Sequence, residues 1–498
     1  MKFLKNNWQI LFILLLALLL RLPLLNGSLW LDEAAQAIES SRPFNQQLAI
    51  MGDFQPPLIH YIIHFALYIS KAEWWLRTIG ALIPGLITIY ATYKIGEKLG
   101  SKKMGLIASL LLSTSSFHIY FSQELRPYSL PAMWATLSWL PIIAKQNQKK
   151  LKIKNLKLVI FSILSLLGLY SSYLYPFLFL TQLIYLNFFK KLPFKQLFFI
   201  ATIVGLGYLP WLPSFFTQLS VGQHLRQELP GWETVVSIPQ LKSIPLVFGK
   251  YIFGVLDLKL NIPYLLIGFI IISFSFKLFL QFKKKSQLSI LLLWLFFPLI
   301  TAWLVSFYIP VIRPKRMLYL MPSFFLLIAN LVTQNQTKLK LFLKTKTNIG
   351  SILFIIVLAV NSYSVLQYYL KPEYQRENWR ALYQEIQNNY PQEKTIIAFS
   401  YPHPFSPWDW YAKDNYPTFS TGAHYIKNAP DLTQNLKQIT QYDYVLVFDY
   451  LRDLTDPDDQ LIQEIEAFGY KGVGVIDYPN IGFVRVYAKP DSLLGYDI

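Results

Sequence analysis

Cysteine is absent from the 498-residue chain, which excludes disulfide scaffolds, thiolate metal sites, cysteine nucleophiles and lipidation on cysteine. Charge is scarce as well. Only 15% of the residues are Asp, Glu, Lys or Arg, against about 25% in a typical soluble domain, and this argues against a simple soluble enzyme. No Walker loop and no dinucleotide fingerprint occurs, which disfavours a soluble nucleotide donor and ATP-driven transport. Internal repeats and low-complexity segments do not stand out. Acids are scarcest in one part of the chain. Residues 1–366 carry 10 Asp+Glu against 35 Lys+Arg, a balance of +25, whereas residues 367–498 carry 18 against 11, a balance of −7.

What fills the first part is apolar. The apolar residues make up 53% of the chain and the aromatic ones 16%, and they gather in runs near the ~20 residues that cross a bilayer as a helix. Spans are expected at 8–25, 75–96, 104–121, 128–144, 156–172, 174–189, 196–213, 261–281, 287–308, 317–333 and 348–366, about eleven in all. The first follows Lys2 and Lys5 but lacks a small-x-small cleavage site, so it reads as an uncleaved anchor.

Short cytoplasmic loops should hold the Lys and Arg. With the N-terminus inside, the inner segments 1–7, 94–103, 145–157, 190–195, 277–285 and 338–346 hold 23 basic residues and one acid, Glu97. The outer segments hold 11 basic residues and eight acids. The run 57–70, only 14 residues long, would invert this parity if it crossed, and it is expected to lie in the outer interface. Residues 26–73 then form one outer loop with interfacial helices at 34–48 and 57–70.

Beyond 366 the pattern becomes that of a soluble α/β domain, placed outside by parity. A helix is expected over 376–389 and strands over 395–399, 444–449, 472–477 and 483–488, with helical segments near 431–439 and 458–468. The net charge of +18 is therefore a sum over two unlike parts and carries no message about nucleic acid.

Charged residues beside a bilayer are costly and face cavities, so those at the outer span ends are the candidates for chemistry. Asp32-Glu33 follows Trp30 at the exit of the first span; a solvated helix start is the bland alternative. Asp53 lies in Gly52-Asp53-Phe54-Gln55-Pro56-Pro57-Leu58, where two prolines orient the polar residues ahead of a helix. Ser122-Gln123-Glu124-Leu125-Arg126-Pro127-Tyr128 is a tight outer turn presenting an acid, a cation and a phenol, with an internal Glu124–Arg126 pair as its structural alternative. Arg313-Pro314-Lys315-Arg316 with Tyr319 puts three cations on the face the positive-inside rule disfavours, and a lipid phosphate would supply the reason. Arg77 either assists or snorkels. His60 and His64 share a helical face, but no further ligands are evident for zinc; His118 is ambiguous. Carboxylates for base or metal work and cations for a phosphate suit group transfer from a lipid phosphate to an acceptor hydroxyl.

At these residues the chain resembles the GT-C class of integral membrane glycosyltransferases, in particular the bacterial family related to protein O-mannosyltransferases and aminoarabinose transferases. The matching pieces are Leu31-Asp32-Glu33, Asp53-x-Gln55-Pro56-Pro57-Leu58, Leu76-Arg77, and Phe117-His118-Ile119-Tyr120-Phe121 continuing through Ser122 to Tyr128. The resemblance is strong over 8–145, weaker to about 330 and uninformative beyond. It implies a GT-C-like catalytic domain over 1–366 with an extracytoplasmic α/β domain over 367–498. It also implies inverting transfer of a monosaccharide from a polyprenyl-phosphate donor to a lipid, glycan or protein acceptor, on the outer face of the plasma membrane. By position, Asp32 would be the base, with Glu33 and Asp53 orienting the acceptor or a divalent cation. Glu124, Arg126 and Tyr128 would shape the pocket and Arg316 with Tyr319 would contact the donor phosphate, and Gln55, Arg77, Arg313 and Lys315 are expected among the substrate-binding residues with them. Relatives often carry His where this chain has Gln55, and members differ in metal need. Metal is therefore left open, with Asp32, Asp53 or Glu124 as its ligands if one binds.

Two other readings compete. A flippase for lipid-linked sugars should show polar residues at mid-span and repeated halves, whereas these charges gather at one face. A non-catalytic scaffold would leave the carboxylates dispensable. In the tail, Tyr401-Pro402-His403-Pro404 and Trp408-Asp409-Trp410-Tyr411 either stack on an acceptor carbohydrate or pack within the domain.

Overall fold

The structure is a computed structural model that describes residues 2–49, 52–143, 155–229, 241–257, 286–333 and 349–493. Among them, five helices are both long and apolar enough to cross a membrane: Glu73–Leu99, Phe194–His224, Leu288–Val305, Pro314–Thr333 and Gly350–Leu370. The expected eleven are not reached on length. Asn7–Leu19, Leu156–Leu169, Tyr175–Phe189 and Ser243–Phe253 are apolar but shorter, and the span expected at 261–281 lies outside the described residues.

The expected span 104–121 is broken. Ser115 is extended (φ −69°, ψ 118°) and its hydroxyl accepts the His118 N–H, so it ends Lys102–Thr114 and caps a new helix, Ser116–Phe121. The break directs the next residues into the outer turn. Helix Leu58–Leu67 is only ten residues long, too short to cross a bilayer. The helix expected at 34–48 is instead Leu31–Ser40 followed by a 3₁₀ segment, Phe44–Ala49.

The helices share one apolar core, closed by close backbone approaches. A Cβ on Gly96 would lie 2.5 Å from the Gly105 Cα, so only hydrogen at both positions lets Ile83–Leu99 and Lys102–Thr114 meet. A Cβ on Gly85 would lie 2.4 Å from the Ser122 Oγ, and this fit seats the outer turn against the same helix. Above it, Leu29, Ala34, Ile59, Leu76 and Leu125 form a smaller cluster that holds the outer loop to the helix ends.

The C-terminal part is a five-stranded mixed sheet: β1 (Thr395–Phe399), β2 (Thr418–Ser420), β3 (Tyr444–Phe448), β4 (Lys471–Tyr478) and β5 (Gly482–Ala488), in the order β2-β1-β3-β5-β4. β1 pairs in parallel with β2 and β3, while β5 runs antiparallel to β3 and β4. Alternate residues of β1 and β3 feed separate cores on the two faces. Trp379, Phe405 and Trp408 are each 1% exposed in one of these cores, so packing accounts for Trp408 among the tail aromatics. That core also takes Leu31 from the outer loop, and Trp410 packs into the cluster below. The sheet part is thus built onto the loop that carries Asp32 and Glu33.

Candidate active site

Helix Leu31–Ser40 starts on an extended Trp30 (φ −91°, ψ 178°) and places Asp32 and Glu33 in its first turn. The two neighbours part at once. Glu33 turns inward and is fully buried. Its Oε1 accepts from Arg77 Nε at 2.8 Å and from the Leu125 N–H at 2.6 Å, and its Oε2 accepts from Arg77 Nη2 at 2.5 Å. Arg77 spends its remaining donors on the carbonyls of Leu25 (3.0 Å), Gly27 (2.5 Å) and Ser28 (2.8 Å). Burial disfavours charge on Glu33, but Arg77 outweighs it and holds the carboxyl below the usual range. Both Glu33 oxygens are engaged and the residue has no solvent access. Glu33 is thus one half of a buried ion pair, and Arg77 is its partner and does not snorkel.

Asp32 faces outward, its side chain 34% exposed, with Oδ2 at 3.9 Å from Arg126 Nε and 4.0 Å from Lys315 Nζ. Lys315 lies over the rings of Trp30 (5.8 Å) and Tyr128 (5.3 Å), so aromatic faces hold the cation beside the acid. Arg126 also grips Asp53, with Nη2 at 3.0 Å from Oδ1 and Nη1 at 3.1 Å from Oδ2. The internal Glu124–Arg126 pair is therefore not formed. Asp53 Oδ2 further accepts from Gln55 Nε2 at 2.5 Å and lies 3.3 Å from His60 Nε2. Burial pushes Asp53 up, yet Arg126 and His60 together bring it down to about 2. Behind it, Gln36 Nε2 contacts His60 Nδ1 at 2.8 Å and Gln55 bonds Gln36. His60 is thus a member of a buried polar network, while His64 bonds the Ser40 carbonyl.

Glu124 is 1% exposed. One oxygen meets Arg376 Nη2 at 3.2 Å and the other has no hydrogen-bond partner. Burial raises its pKa, and Arg376 and Lys315 offset this only in part. Arg376 also donates to the Tyr120 carbonyl at 2.8 Å, sits 4.0 Å over the Tyr120 ring and lies 4.0 Å from Glu33.

The fourth group divides. Arg313 is half-buried with no carboxylate within 4 Å among the described residues. Arg316 turns one amino group to the Pro310 and Val311 carbonyls at 3.2 and 3.3 Å. Tyr319 is 1% exposed in the apolar core, its hydroxyl 3.5 Å from the Leu174 carbonyl. Tyr319 is buried within the 3₁₀ segment Pro314–Leu320, whereas Lys315 of the same segment keeps partial exposure beside Asp32.

Asp32 and Asp53, paired as they are, leave no room for a divalent cation between them. Both Asp53 oxygens are taken, and the Arg126 guanidinium occupies the space between Asp53 and Asp32 where a metal would have to bridge them. Among the described residues, no group of three His, Asp or Glu side chains is arranged to hold one.

Sequence reasoning missed Arg376, Glu377 and Arg380, all in the segment after the last span. Arg380 Nη1 pairs with Glu73 at 2.9 Å and Nη2 donates to the Asn26 carbonyl at 2.9 Å. Tyr411 accepts from the Leu29 N–H at 2.7 Å and donates to Glu73 at 3.0 Å. The signal was present, since these charges also stand at an outer span end. His118 likewise pairs with an unforeseen partner, Arg21, at 2.8 Å.

No protein-family model matches the chain, and no curated protein matches it in sequence. Solved structures do match in shape. ArnT from Cupriavidus metallidurans in the apo state superposes with a TM-score of 0.57 at 12% identity, covering 99% of this chain and 100% of that one. The same protein bound to undecaprenyl phosphate gives 0.54 at 11% identity, again over 99% and 100%. The archaeal oligosaccharyltransferase AglB from Archaeoglobus fulgidus, in complex with an inhibitory peptide and a dolichol-phosphate, gives 0.51 at 13% identity over 99% and 75%. The chain has the GT-C membrane fold with a C-terminal sheet domain.

Proposed function

We propose that the chain is a glycosyltransferase of the outer membrane face, moving a monosaccharide from a polyprenyl-phosphate donor to a lipid, glycan or protein hydroxyl with inversion. The observation that carries this reading is the setting of Asp32: an acid with one open side, flanked by Arg126 and Lys315 at 3.9 and 4.0 Å. A base needs such an opening to reach the hydroxyl proton. The hydroxyl oxygen then bonds to the anomeric carbon as the bond from that carbon to the phosphate oxygen breaks. The electron pair leaves with the phosphate, and Arg313, Lys315 and Arg316 stabilise the charge that develops on it. Asp53, charged at any physiological pH, fixes Arg126 between the two acids, and Glu33 with Arg77 fixes the turn beneath. Undecaprenyl phosphate bound in one similar fold and dolichol-phosphate in another are lipid phosphates of the kind this step would release.

Asp32→Asn tests the assignment. Purified variant in lipid nanodiscs should fold and insert as the parent does, yet lose at least about 100-fold in transfer from a labelled polyprenyl-phosphate sugar. Undiminished transfer would remove Asp32 as base. Movement of labelled lipid across proteoliposomes without any new glycosidic bond would support the flippase reading.

A further inference from the structure

Arg21 lies just past helix Lys2–Leu19 and is fully buried, yet its guanidinium meets no carboxylate within 4 Å among the described residues. Its partners are two carbonyls and a ring. Nη1 donates to the Ala17 carbonyl at 2.8 Å and to the Ser113 carbonyl at 3.1 Å, and Nη2 contacts His118 Nδ1 at 2.8 Å. Ala17 stands in the last turn of Lys2–Leu19 and Ser113 in the last turn of Lys102–Thr114, and these two helices pack together. The last four carbonyls of a helix have no intrahelical donor, and helix C-termini carry partial negative charge. One cation therefore caps two neighbouring helices, and their ends stand in for the missing carboxylate. Arginine has only donors, so Nδ1 of His118 must accept, which assigns the ring as neutral with its proton on Nε2. Nε2 has no hydrogen-bond partner among the described residues, and the polar work of the ring falls to Nδ1.

We propose that Arg21 and His118 are a positioning pair: a shared cap that fixes where the first helix and the outer turn leave the bundle, and so holds Arg126 beside Asp32. The role in transfer rests on Asp32 being the base; the cap itself does not. The two chain segments that part at this point are the ones that lead to the site, one from Arg21 to Asp32 and the other from His118 to Arg126. Two further bonds tie them together. Gln123 Nε2 donates to the Arg21 carbonyl at 2.9 Å and also to the Pro23 carbonyl. The Ser115 hydroxyl accepts the His118 N–H, so His118 is fixed at its backbone by the helix break and at its ring by Arg21. Lysine could not take the place of Arg21, because an ammonium is a point charge without the planar fork that reaches separate acceptors.

The full-length protein in nanodiscs supplies the test, through histidine ring-nitrogen NMR and steady-state transfer. Among the six histidines, the one whose signals vanish in His118→Asn should be neutral and protonated at Nε2. A proton on Nδ1, or a doubly protonated ring, overturns the pair. Asparagine offers an acceptor near the place of Nδ1, whereas leucine fills similar space without one. His118→Leu should therefore lower kcat about tenfold with KM for the donor within about twofold, and His118→Asn should recover most of that loss. Arg21→Lys, which keeps the charge, should lose kcat as His118→Leu does, and it carries the comparison where the leucine variant does not insert. Parent-like kcat in His118→Leu or in Arg21→Lys, or no recovery in His118→Asn, overturns the positioning role. Because the NMR signals need no turnover, an active Asp32→Asn variant would remove the base assignment while leaving the Arg21–His118 bond to its own measurement.

Discussion

Asp32 and Glu33 are the same chemistry one residue apart, and their surroundings give them different work. The helical turn sends one into solvent beside two cations and the other into a cage of donors from Arg77 and Leu125. A buried pair loses about 3–5 kcal/mol when one partner is removed, because the other charge is left without compensation. Arg77→Leu should therefore unfold the outer loop or lower Tm sharply, and the Glu33→Leu/Arg77→Leu double variant should recover a substantial part of that loss in the same melt. A catalytic Glu33 would instead make Glu33→Gln inactive with an unchanged Tm. Asp53 adds a pH signature. Its folded pKa of about 2 lies below the ordinary 3.8, so its contribution is fully present above about pH 4 and is lost as pH falls towards 2. The shift corresponds to about 2 kcal/mol, and Asp53→Asn should flatten the acid limb of a Tm-against-pH curve by about that much.

Among elements, the legible ones were those whose burial follows a simple period. β1 and β3 were readable because both faces are covered and the residues run apolar and β-branched without interruption. β2 was not, since three residues carry no period. Neither was the break at Ser115: hydropathy averages over it, whereas the cause is one hydroxyl accepting one N–H. Helix ends and capping decide where side chains point, and this is why the carboxylates could be named from sequence while the burial of Glu33 and Tyr319 could not. Arg376, Glu377 and Arg380 were assigned to a separate soluble domain by composition, and composition cannot register a segment that folds back onto the membrane face. The meeting of helices at Gly96 and Gly105 is testable in the same spirit. Gly96→Leu must push backbone from backbone, an overpacking cost of about 1–3 kcal/mol or more, and should lower Tm or abolish insertion. Gly205→Leu, where nothing lies within 4 Å, should leave Tm unchanged within about 1 °C, a control for side-chain size alone.

For the whole molecule, orientation decides whether the site can work as proposed, and the charges argue for one orientation. The inner segments hold 23 basic residues against one acid. Each Lys or Arg retained on the cytoplasmic side opposes translocation of its loop, and acids count little. The candidate site, the outer loop and the sheet domain interlock through Arg376, Arg380 and Tyr411, so all three must share one side. Placing that side outside is then a single choice that can be checked at two points. The absence of cysteine makes the chain its own labelling background. Lys103 lies exposed in an expected inner segment and Glu393 lies exposed beside β1. A membrane-impermeant maleimide applied to intact cells should label Glu393→Cys and leave Lys103→Cys unreacted, and permeabilised cells should show both. The opposite pattern would put the sheet domain and Asp32 in the cytoplasm, where a donor displayed on the outer face could not reach them.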